Sequence, residues 1–410
     1  MKHIFIVGAK SIGQYGGYET FVSKLSEVHK GNSSIQYHIA CKANGDGYMD
    51  ESQLSGVSDV KKNGLNEVTD FTYNNAHVYK IKLPNLGAGT AIIYDIRALK
   101  HAIKYCIEQR IEQPIFYVLA CRIGPFIKAL KRRIESIGGL LYINPDGHEW
   151  KRAKWNYFIK KYWKHSERLM IKQADVVVCD SINIEKYIKN EYQVYSPRTV
   201  YIAYGADITP SSLEEDDASF SSWLKKFGLK NKEYYLIVGR FVPENNYETI
   251  IREFISSATK KKLVIISNKN EKLLKYLNRK FLIGQDKRIC FAGTVYNQEL
   301  LKKIRENAFA YIHGHEVGGT NPSLLEALGS TQLNLLLDVG FNKEVGEEAA
   351  LYWTKQPGDL KRVIESSEEL SQDQIIAYEQ AAKKRILENY SWDHIGDKYL
   401  NLWNCSIEER

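Results

Sequence analysis

The chain has 410 residues, too many for one ordinary hydrophobic core, so two domains are expected. Hydrophobic residues make up 44% and charged residues 26%, which excludes a disordered chain, and 28 glycines with 9 prolines exclude collagen-like and proline-rich architectures. The formal charge of +8 is regional: thirteen Lys/Arg face four Asp/Glu between Cys121 and Lys172, and the remainder is close to neutral.

Met1-Lys2-His3 runs directly into IFIVG, too short for a signal-peptide core, and reads as a first strand. No apolar run approaches the roughly 20 residues of a membrane helix. In the first half HIFIVGA, IQYHIAC, HVYKIKL, PIFYVLA, GLLYINP, DVVVCD and TVYIAYG read as strands. Between them YETFVSKLSEVHK, YDIRALKHAIKYCIEQ, PFIKALKRRIESI, residues 155–172 and INIEKYIKNEY read as helices. Apolar strands alternating with helices predict a parallel sheet covered on both faces. Residues 209–232 are polar, acidic and Ser-rich, and read as a linker. The alternation then restarts, from YYLIVGRF through LNLLLDV, and ends in a helical stretch from about Asp373 with a break near Ser391. The expected fold class is α/β: two doubly wound Rossmann-like domains, 1–208 and 233–390, facing an interdomain cleft. In such sheets ligands bind beyond the carboxyl ends of the strands.

In the basic stretch, Lys128, Arg132 and Glu135 share a helix face beside Lys131, and Trp155, Tyr157, Phe158, Tyr162 and Trp163 interleave with lysines. That pattern suits an anionic membrane surface, or a solvated helix face with its aromatics turned to the core. No nucleic-acid motif accompanies it. The six cysteines form no CxxC pair and read as free thiols of a reducing cytosol, and no clustered set suits a metal.

The first strand ends in GAKSIGQYGGYET. It lacks the Lys-Ser/Thr of a phosphate-binding P-loop and the GxGxxG of a dinucleotide fold, and the second strand ends in Cys41-Lys42 where the latter wants a carboxylate. What remains is Gly16-Gly17 opening a helix, whose free N–H groups suit an anion; a plain tight turn is the alternative. In the second half, Gly239-Arg240 follows a strand, and an Arg there can fork onto phosphate oxygens. Gly318, Gly319, Thr320 and Asn321 then lead into Pro322, a favoured first helical position, with Asn321 as cap and Glu326 four residues into the helix, suited to ribose hydroxyls. Asp146, Asp180 and Tyr204 stand at strand carboxyl ends of the first domain. A carboxylate there can orient or deprotonate an acceptor hydroxyl, although Asp146 and Asp180 could instead cap the helices that follow. His148 ranks below Asp146 as a base.

GRFVPENN, followed about 75 residues later by GGTNPSLLEALG, resembles the family 4 glycosyltransferases of the GT-B fold, and YSWDHIGDKY at 390–399 resembles that family's C-terminal helix. QYGGYETFV and DGHEWKRAKW resemble, more narrowly, a bacterial branch containing rhamnosyltransferases of capsule and cell-wall polysaccharide synthesis. The resemblance implies that residues 391–410 cross back to the first domain. It implies that Gly16 and Gly17 lie against the donor diphosphate, that Arg240 stabilises it, and that Glu326 holds the ribose. Two positions depart from the family pattern: a usual lysine is Asn245, and a usual glutamate falls on Gly318, with Glu316 two residues earlier. Lys151 is a candidate replacement for the lost cation.

The implied activity is retaining transfer, by a front-face route without a metal or other cofactor, of a sugar such as rhamnose from dTDP-rhamnose to a lipid-pyrophosphate-linked saccharide. Arg240 and the Gly318–Asn321 helix start would stabilise the leaving group. The implied location is the cytoplasmic face of the plasma membrane, docked peripherally through residues 121–172. A GT-B-like nucleotide-sugar epimerase, and a non-enzymatic basic module binding membrane or nucleic acid, are the alternatives.

Overall fold

The computed structural model describes residues 1–14, 16–84, 87–152, 154–268 and 270–405. Tyr15 and Ala153, which fall in two of the motifs, and residues 406–410 of the expected C-terminal helix lie outside the described residues. The chain divides into two compact units, Met1–Tyr204 with Trp392–Arg410, and Gly205–Ser391.

In the first unit the apolar runs become β1 (Lys2–Val7), β2 (Ile35–Lys42), β5 (Ala76–Ile81), β6 (Ile115–Leu119), β7 (Leu140–Asn144), β8 (Val176–Cys179) and β9 (Thr199–Tyr201). Two further strands extend one edge: β4 (Val68–Tyr73) pairs antiparallel with β5, and β3 (Ser58–Lys62) antiparallel with β4. The nine-stranded order is β3-β4-β5-β2-β1-β6-β7-β8-β9, parallel from β5 to β9, with Ile6 seated between Ile39 and Tyr117. The order reverses between β1 and β6, the point where such sheets open a crevice. Helices α1 (Gly17–Val28), α2 (Thr90–Glu108), α3 (Gly124–Glu135), α4 (Tyr157–Gln173) and α5 (Ile182–Glu191) connect the strands. Gly8 ends β1 at φ 126°, and a Cβ there would lie 2.6 Å from the Leu119 carbonyl oxygen, so only glycine lets the turn pass this close to β6.

The second unit starts at Gly205, so the stretch expected as a linker, 209–232, lies within it. Asp217 caps α6 (Ala218–Phe227), which buries Phe220 and Trp223, and Glu306 accepts from the Ser211 N–H at 2.6 Å. A six-stranded parallel sheet follows in the order β12-β11-β10-β13-β14-β15, from β10 (Tyr234–Val238), β11 (Lys262–Ile266), β12 (Ile289–Gly293), β13 (Ala310–His313), β14 (Asn334–Leu337) and β15 (Leu351–Trp353). The helices are α7 (Tyr247–Ser256), α8 (Glu271–Phe281), α9 (Gln298–Glu306), α10 (Pro322–Ser330), α11 (Gly340–Gly346), α12 (Asp359–Glu368) and α13 (Gln372–Tyr390), the last opened by a Ser371/Gln374 capping box.

After Ser391 the chain re-enters the first unit as α14 (Trp392–Asn404), packed on α1 and β1. Trp403 is fully buried and its indole N–H donates to the Tyr37 hydroxyl at 2.9 Å, while the Tyr399 hydroxyl lies 3.0 Å from that of Tyr117. No described helix is long and apolar enough to cross a membrane.

The basic stretch is divided in its use. Lys131 is buried and pairs with Asp175 at 2.5 Å. Lys164 sits over the rings of Trp150, Tyr187 and Tyr192 at 4.8, 4.8 and 5.1 Å and pairs with Glu191 at 2.8 Å. Tyr157 and Phe158, by contrast, are 63% and 80% exposed at the start of α4.

Candidate active site

In the first unit, residues from five strand ends converge. Gly16 caps α1 without any side-chain hydrogen bond, so the first-turn N–H groups that follow keep their anion-facing character. Beside it the Tyr18 hydroxyl is buried and, among the described residues, has no hydrogen-bond partner. Burial first, then Asp146, with Asp180 adding, raises its pKa well above the ordinary phenol, against the pull of Arg122. Tyr204 is raised in the same way by burial, Tyr18, Asp180 and Asp146. These mutual effects place Asp146, Asp180, Tyr18 and Tyr204 in one electrostatic neighbourhood.

Arg122 follows β6, reaches across to the Gly8 carbonyl at 3.3 Å and pairs with fully buried Asp95 of α2 at 3.1 Å. Burial works against its charge, but Asp95, Tyr18 and Asp146 outweigh it and raise its pKa. Burial pushes Asp95 up to about 6, with Arg122 opposing.

Asp146 adopts a left-handed backbone, φ 60°, its N–H held by the Asn144 side chain at 2.8 Å, and its own carboxylate accepts from the Gly147 N–H at 2.8 Å. Neither carboxylate is a helix cap: the short turn Glu149–Lys151 starts after His148, and Ser181 caps α5 in place of Asp180. His148 packs edge-on against Tyr187 at 4.2 Å. Burial, then Lys151 and Lys164, lower its pKa to about 4, which leaves a weak base near neutral pH. Lys151 is exposed, its ammonium 5.2 Å from the Trp150 ring centroid.

The candidate residues of the second unit stand on turns built largely from backbone contacts. Arg240 stands exposed one residue past Gly239, and among the described residues it has no carboxylate partner. Asn245, at the position of the family lysine, donates its amide to the Arg240 carbonyl at 2.8 Å and shapes that turn, while its own oxygen is buried without a partner. Asn246 donates to Gly314 at 2.8 Å and to Glu316 at 3.0 Å, and Lys355 pairs with Glu316 at 2.6 Å. Glu316 is thus fixed in the loop that leads to Gly318 and Gly319. A Cβ on Gly314 would lie 2.5 Å from the Asn245 carbonyl, a close approach that joins the two loops.

Asn321 caps α10, accepting from Ser323 and Leu324 N–H at 2.9 and 3.3 Å, with Thr320 buried before it. Glu326 is held by Arg305 of α9 at 2.5 Å, and Arg305 is 2% exposed. Tyr18, Arg122, Asp95 and Arg305 carry no sequence signal of their own; each gains meaning from residues distant in the chain. Among the described residues no group of three His, Cys, Asp or Glu could hold a metal ion.

The family described as "Domain of unknown function (DUF1972)" matches residues 1–207. The chain belongs to the DUF1972 family. No curated protein matches it. Among solved structures, this DUF1972 chain is similar to a sucrose-phosphate synthase of Thermosynechococcus elongatus, with a TM-score of 0.73, 14% identity and 98% of each chain covered. It is similar to the HepE protein of Anabaena in complex with UDP, with a TM-score of 0.67, 13% identity and 98% and 99% of the two chains covered. A glycosyltransferase of Rickettsia africae gives a TM-score of 0.70, 12% identity and 98% of each chain. The likeness shows the fold: the DUF1972 chain has the two Rossmann-like, parallel-sheet domains of GT-B glycosyltransferases.

Proposed function

We propose that the chain is a glycosyltransferase that takes its sugar from a nucleoside diphosphate. The observation that carries this is in the second unit. An uncommitted Arg240 follows β10, β13 runs through a glycine loop into the capped start of α10, and Glu326 is held ready one turn on. A guanidinium and a helix start can take up the charge of a leaving diphosphate, and a fixed carboxylate can bind the ribose. The UDP held by the similarly folded HepE supports this reading.

The finer reading is that rhamnose moves from dTDP-rhamnose, with retention, to a lipid-pyrophosphate-linked saccharide. In it Gly16 and Gly17 face the diphosphate, Asp146 or Asp180 orients the acceptor hydroxyl, and Tyr204 lines the same half-site. The lipid-linked acceptor is supported by Tyr157 and Phe158, exposed beside lysines at the start of α4. Peripheral docking there would weaken as salt rises, because the Debye length is about 8 Å at physiological ionic strength.

The test is a thermal-shift panel with dTDP, UDP and GDP on the wild type and Arg240→Ala. A shift with one nucleotide, lost in the variant, names the donor base; a hundredfold excess over Kd stabilises by about 2.7 kcal/mol. No shift with any of the three would remove the donor site. Failure to sediment with anionic liposomes at low salt would remove the docking.

A further inference from the structure

Three cations stand at the carboxyl ends of adjacent strands in the first sheet. Lys42 closes β2, Lys10 follows β1 and Arg122 follows β6. Arg122 is committed to Asp95 and Lys10 to Asp46. Lys42 differs. It is 7% exposed, its ammonium donates to the Asp46 backbone carbonyl at 3.1 Å, and among the described residues it has no ion-pair partner. An ammonium has three N–H groups to satisfy, and a buried charge offset by one carbonyl is under-compensated. Burial, followed by Lys10 and with Arg122 adding, lowers its pKa, and Asp46 and Glu19 oppose this only in part.

The neighbouring loop is also incomplete. Ser11, one residue past Lys10, is fully buried and among the described residues its hydroxyl has no hydrogen-bond partner. The Lys42 N–H donates to the Lys10 carbonyl at 2.7 Å, and both ammonium groups meet on Asp46, one at its carboxylate and one at its carbonyl. The Asp46 side chain is 87% exposed, so it is free to yield Lys10 to a better anion.

We propose that the loops after β1 and β2 form a phosphoryl-binding site in the first unit, with Lys42 and Lys10 supplying charge and Ser11 a hydroxyl. Phosphate oxygens complete the unfilled donors that the fold leaves here. That the occupant is the phosphoryl group of the sugar acceptor rests on the transferase reading; the anion site itself does not.

Inorganic pyrophosphate is titrated calorimetrically into the full chain in the presence of saturating nucleoside diphosphate. The wild type is expected to bind it. Lys42→Met is expected to bind at least tenfold more weakly without a lower melting temperature, since the variant also removes a buried charge. No binding by the wild type, or equal binding by Lys42→Met, overturns the proposal. Should Lys42→Met fail to fold, acetylation of Lys42 in the wild type decides: protection by pyrophosphate supports the site, and its absence overturns it. Competition by geranyl diphosphate against glucose 1-phosphate separates a prenyl-linked occupant from a soluble sugar phosphate. Loss of nucleotide binding alone would sink the transferase reading and leave Lys42-dependent pyrophosphate binding in place.

Discussion

Glu326→Gln tests whether Arg305 is what holds the Glu326 carboxylate, which we propose binds the ribose. The two side chains meet at 2.5 Å; Arg305 is buried, and the Glu326 side chain is 27% exposed. Removing one partner of a buried pair costs about 3–5 kcal/mol because the other charge is stranded. Solvent reaches Glu326, so the expected loss is about 2–3 kcal/mol. Arg305→Met costs less, because Glu326 can hydrate. The double variant recovers most of the loss, giving a coupling of at least about 1 kcal/mol. Amide hydrogen exchange in α9 and α10 reads this locally, without interference from the first unit. Nucleoside diphosphate affinity separates positioning from stability: Arg305→Met keeps Glu326 but loosens it, and a tenfold loss, about 1.4 kcal/mol, is expected. The double variant, restored in stability, stays weak. A coupling below about 0.5 kcal/mol, or wild-type affinity in Arg305→Met, would refute the clamp.

Gly314→Ala forces a Cβ onto the Asn245 carbonyl, backbone against backbone, and should cost about 1–3 kcal/mol while weakening nucleotide binding through the displaced Arg240 turn; unchanged chemical denaturation would contradict this. His38 is held down to about 2 by burial, then by His77 and His3. The unfolded chain therefore takes a proton near pH 6.5 that the folded chain refuses, so stability present above about 6.5 is lost as pH falls, by up to about 1.4 kcal/mol per unit. His38→Phe should flatten this acid limb, and an unaltered slope would count against it. Asp95 has the opposite sign: with its folded pKa raised to about 6, it favours folding at low pH and that contribution is lost as pH rises through about 6. An NMR titration of its carboxyl carbon with a midpoint near 4 would show the burial argument to be wrong.

The alternation of apolar runs and helical stretches was enough to place twelve of the strands, β15 at the far edge of the second sheet not among them, because strands covered on both faces carry their burial in composition. The edge strands β3 and β4 lack that signature. Of them only Phe71 is buried, and their order comes from antiparallel pairing with β5, in which Asp70 sits opposite Tyr79. In residues 209–232 the acidic, Ser-rich composition suggests a linker; in the structure Asp217 of that stretch serves as a cap and Ser211 as a donor to Glu306. Polarity there serves local hydrogen bonding rather than solvent exposure.

The candidate residues of the two units differ in how far they are legible in the sequence, and the cause is the chemistry of each. In the second unit the parts proposed to face the diphosphate are a strand end, glycines and a helix cap, all local in sequence, so spacing alone is enough to nominate Arg240, Gly318, Gly319 and Asn321. Arg305 could not, because in QELLKKIRENA it is one charge among several on an amphipathic helix, and its burial arises only where α9 meets α10. The first unit depends instead on side chains arriving from separate strand ends. The strand-end rule does find Asp146, Asp180 and Tyr204, but Tyr18, Arg122 and Asp95 acquire their character from one another. Lys42 obeys the same strand-end rule. Viewed as a dinucleotide fold, its position only lacks a carboxylate; its burial and its single bond to the Asp46 carbonyl are what carry the proposal of an anion site there.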